Sequence, residues 1–364
     1  MSVSQIDPVY QELATKMKRP NSKVLTALLQ RLAGLEQARI VRELPAEPEE
    51  IAKKLGLDKE TVEKHLRILF EKGLVTHGKR HWNLASSWGW LHDAIGSANS
   101  KYDDIELFDM AMEMSGEELM HLSQRVEKGD KITVRQYMRV IPKWKTIKDI
   151  PGVLPCEDVR EIFRSSPPIV LNNCACRRLY KDRGCKSTLP VNVCLSCGRL
   201  GRYALSRGIG KELTYDELME FLDGLDEYQL VNLTGNSNLM PIQMCNCHNC
   251  CCGMFHIRAY TKPNMNQSPF AKSRFLVEDH PEKCIACGKC INERCPIGAI
   301  SMKYFPEFDG ERSYTDTEEC IGCGLCVLTC PVEARKMKLV RPPEHIPEPS
   351  ALPSIADAEI GDLF

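Results

Sequence analysis

Two cysteine runs close together near the C-terminal end constrain this chain more than anything else in it. One is Cys284-x2-Cys287-x2-Cys290-x4-Cys295-Pro296 and the other Cys320-x2-Cys323-x2-Cys326-x3-Cys330-Pro331. Three thiolates spaced two residues apart can wrap one cubane from a single loop, and eight together are what two [4Fe–4S] clusters need. Gly288 and Gly324 each follow the second cysteine of a run, where the backbone has to turn tightly. Pro296 and Pro331 end the ligand loops without needing a backbone donor. Paired zinc knuckles are built from shorter Cys-x-x-Cys units and rarely carry a third evenly spaced cysteine followed by Cys-Pro. A disulfide scaffold fits a chain of 364 residues poorly when no secretion signal is evident.

Residues 280–338 resemble the two-cluster bacterial ferredoxin. The resemblance implies one-electron transfer and a ligand partition in which the fourth cysteine of each run crosses to the other cluster. Cys284, Cys287, Cys290 and Cys330 would then hold one cluster, and Cys320, Cys323, Cys326 and Cys295 the other. The first run departs from the family pattern: four residues, Ile291 to Arg294, precede its last cysteine where three are usual. The expectation is that the loop absorbs the extra residue, with some effect on the potential of the neighbouring cluster.

The length predicts two or three domains, and 43% hydrophobic content is enough for ordinary cores. A net charge of −1 points to no class of partner. Met1 to Leu13 contain no apolar leader segment, and no run is long enough to cross a bilayer, so a cytoplasmic location is expected. Nineteen cysteines in such a reducing compartment point to metal ligation and to an anaerobic host.

Residues 21–85 read as a winged helix-turn-helix and resemble bacterial winged-helix regulators. Val24, Leu25, Leu28, Leu29 and Leu32 follow helical spacing, and a second helix runs through Ile40 and Val41 towards Pro45. After Glu49–Leu55 and the turn Gly56-Leu57-Asp58, Asp58 caps a helix predicted from Lys59 to Lys72. Leu74–Leu84 reads as a two-stranded wing. The reading allows DNA binding, or docking and homodimerisation. Residues 50–82 hold eight Lys/Arg against five Asp/Glu, a weak basic stripe for a duplex reader, so DNA is not the favoured partner.

Residues 86–155 read as a helical connector. It is helical from 101 to 140, has a capping box at Ser115–Glu118, has methionines 110, 112, 114 and 120 filling its core, and ends in a proline-marked linker. Residues 156–270 form a Cys-rich segment with Cys174-x-Cys176-Arg177-Arg178, Cys185, Cys194-x2-Cys197 and Cys245-x-Cys247-His248-x-Cys250-Cys251-Cys252. Before these cysteines, Val159–Phe163 reads as a short helix and Pro168–Leu171 as a buried strand. Thr214-x2-Glu217 is a capping box heading a helix to Leu225. Cys156 stands apart as a buried structural thiol.

Alternating and adjacent cysteines cannot all point at one metal, so two centres, or one centre with reactive thiols, are indicated. Cys174, Cys176, Cys185, Cys194, Cys245, Cys247, Cys250 and Cys252 are the candidate ligands. One or two further [4Fe–4S] clusters lead, structural zinc with His248 as a candidate ligand follows, and a thiol redox site comes third. The pattern resembles uncharacterised iron–sulfur proteins of anaerobes that carry a ferredoxin tail.

Residues 174–211 hold nine Lys/Arg against one acid, while residues 212–227 hold seven acids and no base. Arg177, Arg178, Arg199 and Arg202 are therefore candidates for stabilising a cluster or holding an anion or partner, unless the basic loop simply pairs with the acidic helix. Residues 341–364, with five prolines and five acids, read as a disordered tail.

The expectation as a whole is a multidomain α+β chain. It comprises the winged helix-turn-helix, a central Cys-rich and mostly helical metal-binding domain, and a ferredoxin-like domain with two [4Fe–4S] clusters. Its leading function is electron relay between a low-potential donor and a partner oxidoreductase. If the chain is itself an enzyme, it would be an iron–sulfur oxidoreductase with a central reduction site. The rival function is a redox-sensing transcription regulator.

Overall fold

A computed structural model describes residues 6–78, 81–85, 87–180 and 188–349. Its N-terminal part packs α1 (Pro8–Lys16), α2 (Lys23–Leu32), α3 (Leu35–Arg42), α4 (Pro48–Leu55) and α5 (Lys59–Lys72) around Leu13, Leu25, Leu28, Ile40, Leu66 and Leu69, all fully buried. Asp58 caps α5 by accepting from the Thr61 amide at 2.8 Å. Gly73 closes α5 at φ +94°, where a Cβ would also meet the Ala94 Cβ at 2.4 Å. A short antiparallel hairpin of β1 (Val75–His77) and β2 (Trp82–Leu84) follows. The helices over 23–32, 35–42 and 59–72 and the hairpin over 75–84 lie where the sequence predicts them, whereas α1 precedes residues 21–85.

The connector differs from its expectation. Beyond α6 (Trp88–Ser97) a single helix, α7 (Ile105–Glu127), runs through Ser115 without a break. The Ser115 hydroxyl donates back to the Ala111 carbonyl at 3.1 Å instead of capping a new segment. Met114 is buried as expected, but Met120 is half exposed. Residues 128–137 are not helical, and β3 (Met138–Ile141) is already a strand of the central sheet.

That sheet is the main correction, because the Cys-rich segment is not mostly helical. Seven strands run in the order β6-β4-β5-β8-β7-β3-β9, with β4 (Ile169–Asn173), β5 (Asn192–Cys197), β6 (Lys211–Leu213), β7 (Val231–Gly235), β8 (Gln243–Cys247) and β9 (Phe270–Ala271). All the pairings are antiparallel except β3 with β9. Short apolar stretches such as Val231–Leu233 are too brief for a helical period and suit strands buried on both faces. Helices α8 (Val159–Arg164), α9 (Ala175–Leu179), α10 (Gly198–Ser206), α11 (Tyr215–Leu225) and α12 (Gly253–Met265) connect and cover them. Thr214 and Glu217 do form the capping box on α11.

The C-terminal part pairs β10 (Phe275–Asp279) with β13 (Arg335–Leu339) and folds β11 (Ile300–Phe305) against β12 (Gly310–Thr315). The four-residue α13 (Leu325–Leu328) lies within the second cysteine run and carries Cys326. The first part of the expected disordered tail is docked. Ile346 is buried, and the Pro347 carbonyl accepts from the Asn238 amide at 2.9 Å. The rest of that tail, from residue 350, lies outside the described residues.

Candidate metal centres

The two C-terminal loops are built alike. Gly288 and Gly324 both adopt left-handed backbone, with φ of +72° and +79°. At Gly324 a Cβ would meet the Thr146 Oγ1 at 2.5 Å, so space and conformation both require glycine. After each Cys-Pro the chain turns back, so that the Ala299 amide donates to Cys295 Sγ and the Ala334 amide to Cys330 Sγ, each at 3.2 Å. The extra residue of the first run is taken up by a π-helical turn over Cys290–Arg294, closed by the Cys295 amide on the Cys290 carbonyl at 3.1 Å. A π-turn holds one residue more per turn than an α-turn, so the run lengthens without opening the loop.

Cys295 lies with Cys320, Cys323 and Cys326 around a small apolar-walled space. Burial pushes the Cys323 thiol up to about 12 and the Cys326 thiol well up, each reinforced by its neighbouring cysteines. In the other set, Cys290 is buried, Cys287 is exposed, and Cys284 Sγ accepts from the Ser313 amide at 3.4 Å. Arg335 is buried near both sets. Its Nη1 lies 4.0 Å from Cys326 Sγ, it senses Cys290, and its Nε and Nη2 have no hydrogen-bond partner. Arg335 Nη1 donates to Thr315 Oγ1 at 2.7 Å and pairs with Asp279 at 3.1 Å, which leaves Nε and Nη2 over. Sulfurs that accept amide hydrogens, a buried guanidinium with two nitrogens to spare and a shaped space all fit an anionic thiolate-held cluster.

A second thiol group lies in the central sheet. Cys194 on β5 and Cys245 on β8 sit one step along the pairing that joins Leu195 to Met244, and their side chains touch. Cys245 and Cys247 share one face of β8, as strand alternation requires. Their contacts continue through Cys252, at the start of α12, to Cys176 in α9, while Cys174 closes on Cys194. Six sequence-predicted cysteines thus converge from four elements. Cys245, accepting from Cys194 and Cys247, is held down at about 6. Cys176 and Cys247 are pushed well up, chiefly by contact with their cysteine neighbours. Six closely packed sulfurs cannot all ionise beside one arginine, so a polycationic centre suits the site. Cys250 packs at its edge, and Cys185 lies outside the described residues.

The alternation that gathers Cys194 excludes Cys197. Three residues along a strand reverses the face, and Cys197 is buried in the opposite core with its thiol on the Pro241 carbonyl at 3.4 Å. His248 is occupied at both nitrogens. Nδ1 accepts from the Cys250 amide at 3.1 Å, which leaves Nε2 to donate to Gln229 Oε1 at 3.0 Å. Cys156 is buried away from both groups.

The four candidate arginines do not form one site. Arg177 is buried against Cys174 and Cys251 and donates to the Asn246 carbonyl at 3.3 Å, so it is a countercharge that reading for a surface patch does not anticipate. Arg178 is buried the other way, on the Gly96 carbonyl at 3.0 Å and on Asp103. Arg199 and Arg202 lie on the exposed face of α10. The acidic helix α11 pairs largely outside the basic loop: Lys145 meets Asp223 at 2.8 Å and Asp226 at 3.1 Å, and buried Lys143 meets Asp226 at 3.5 Å.

Residues 283–334 match the 4Fe-4S dicluster domain. Subunit PorD of pyruvate synthase from Methanothermobacter marburgensis is 39% identical over 78 residues, which are 21% of this chain and 80% of that protein. The chain belongs to the 4Fe-4S dicluster family. An uncharacterized ferredoxin of Methanocaldococcus jannaschii is 36% identical over 61 residues, covering 17% of this chain and 75% of that protein. A ferredoxin:CoB-CoM heterodisulfide reductase polypeptide of Methanosarcina mazei is 33% identical over 94 residues. There the match spans 22% of this chain but only 10% of that larger protein. No solved structure matches. The dicluster domain carries [4Fe–4S] clusters and gives the chain an iron–sulfur electron-transfer role. No helix among the described residues is long and apolar enough to cross a membrane.

The dicluster domain and the central thiols meet. Cys247 and Cys252 share one apolar core with Ile321 and Leu325, and Cys245 and Cys323 pack at its margin. The Lys143 amide donates to the Cys323 carbonyl at 3.0 Å, so the segment after β3 clasps the second Cys-rich loop.

Proposed function

We propose that this chain relays single electrons from a low-potential donor to a partner oxidoreductase, through two clusters and a third metal centre. Cys284, Cys287, Cys290 and Cys330 hold the first cluster, and Cys320, Cys323, Cys326 and Cys295 the second. Cys174, Cys176, Cys194, Cys245, Cys247 and Cys252 hold the central centre, an iron–sulfur cluster by the size of the thiol set and the company it keeps. The observation that supports the order is the core shared by Cys247, Cys252, Ile321 and Leu325, which packs the second cysteine run against the central thiols. The first cluster faces outward, with Cys287 exposed and Ile285 60% exposed, and is the entry for a donor. The test is stopped-flow reduction of the anaerobically loaded chain by reduced methyl viologen. Cys323→Ser should slow reduction of the central centre, and Cys197→Ser should not. Equal central rates in the two variants would contradict the order.

Residues 21–85 serve in this account as a winged helix used for docking. Three of the four cations of α5 are engaged within the protein, Lys72 on the Leu32 carbonyl at 2.9 Å. Lys59 pairs with Glu49 and Glu63, and Arg67 Nη2 donates to the Ser206 carbonyl of α10 at 2.8 Å. Phe70 packs edge-on against Tyr203 at 5.5 Å. A mobility-shift assay on the protein's own upstream DNA, oxidised and reduced, tests the rival regulator. Sequence-specific, redox-dependent binding would replace docking by gene control.

A further inference from the structure

Beside the second cluster loop lies a cavity of about 250 Å³ that the relay does not use. Arg258 and Lys262 of α12 and Lys272 after β9 line it, and Ile321 forms one wall. Among the described residues no carboxylate lines it. Glu319, just outside, is shared by two of the cations, at 2.7 Å from Arg258 and 3.3 Å from Lys262. Among the described residues Lys272 forms no ion pair and donates only to the backbone carbonyls of Thr317 and Glu318. Gln267 and Ser268 add polar edges. Three cations converge on one cavity, with Glu319 shared by two of them and Glu318 acting on Lys272 from further off, which still leaves a net positive charge and favours an anion.

We propose that this cavity binds a small multivalent oxyanion, a phosphate or a dicarboxylate, held chiefly by Lys272, Lys262 and Arg258. The volume admits a small di-anion. Its place gives the binding a consequence. Ile321 follows Cys320 in the chain, and Lys272 and Arg341 both sense Cys320. A negative charge placed there opposes the addition of an electron to the neighbouring cluster, so the bound anion lowers the potential of that cluster. The ligand acts as a regulator of the relay and is not consumed by it. Binding itself does not require the proposed ligand partition; only the consequence for potential does.

Calorimetric titration of the full, anaerobically loaded chain tests the site, with inorganic phosphate in one arm, malonate in another and chloride as the monovalent control. Saturable binding of phosphate or malonate at one site, with chloride inert, is expected, and the arm that binds more tightly identifies the anion class. Lys272→Gln keeps a donor for the two carbonyls and should weaken binding by about ten-fold or more, the loss of one charge-assisted bond, while Lys272→Arg should retain it. The cluster absorbance of each variant reports folding separately. No saturable heat in either arm, or undiminished binding in Lys272→Gln, would overturn the proposal. Binding without a fall in the second cluster's potential in an EPR-monitored titration would remove its regulatory role.

Discussion

The side chain of Asn249 donates to the carbonyl of Pro296 at 2.7 Å. Asn249 lies inside the central cysteine loop, between Cys247 and Cys250, and Pro296 follows the last cysteine of the first run. One hydrogen bond therefore ties the central thiols to the turn that sets Cys295 beside Cys320, Cys323 and Cys326. Arg294, on the same turn, donates to the carbonyls of Asp226 and Tyr228 at 2.9 and 3.2 Å. The π-turn of the first run thus lies at the junction itself.

Asn249→Ala removes one hydrogen bond and should cost about 0.5–1.5 kcal/mol. Metal content should be unchanged, but electron exchange between the central centre and the dicluster domain should slow. Freeze-quench EPR checks both, and unaltered exchange would detach this bond from the relay.

Cys287→Ser removes a ligand of the exposed cluster and should lower the iron content by about four per chain. Cys197→Ser, on the far face of β5, should lower it by none. Iron assay of the two variants separates them, and iron loss in Cys197→Ser would refute the face argument.

Arg207 is buried and donates to the Phe70 carbonyl at 3.0 Å and to those of Glu71 and Ala94 at 2.9 and 3.0 Å. Two of these are last-turn carbonyls of α5, where helical partners run out; that of Phe70 also accepts from the Gly73 amide at 3.1 Å. Arg207→Met takes the buried donor from the Glu71 and Ala94 carbonyls and should destabilise the junction of the N-terminal helices with α10 by about 1–3 kcal/mol. Denaturant unfolding checks the loss, and a change within about 0.5 kcal/mol of zero would count against it.

The dicluster loops were legible because their ligands are local, so that spacing alone carries the geometry. The helices of residues 21–72 were legible through caps such as Asp58 and periodic leucines. The central sheet was not. Its strands are short and their pairings non-local, and β3 joins it from a segment that reads as the end of a helix. Cys194-x2-Cys197 looks like a ligand pair until the residues are placed on a strand, where the same spacing divides them. The burial of Arg177 and Arg178 was equally hidden, since charge counting treats every cation as a surface group.

His345 adds a pH dependence away from the thiols. Burial pushes its imidazole below the ordinary 6.5, although Nε2 meets the Lys272 carbonyl at 3.0 Å. A depressed base favours its neutral form in the folded state, so the unfolded chain takes up the proton first. Stability from this group is complete above 6.5 and declines as the pH falls through 6.5 towards the lower folded value. Denaturation at about pH 7.5 and about pH 6.0, on either side of the ordinary value, should show a loss that His345→Gln reduces. Identical losses in both proteins would contradict the assignment.

A third iron–sulfur centre on the sheet thiols, in electronic contact with the dicluster domain, stands or falls on the count of iron and acid-labile sulfide. The anaerobically prepared full chain is assayed beside the double variant Cys194→Ser/Cys245→Ser. About twelve irons per chain are expected, falling to about eight in the variant with the dicluster EPR signals retained. About eight irons in both proteins, or stoichiometric zinc that disappears with the two cysteines, would contradict it.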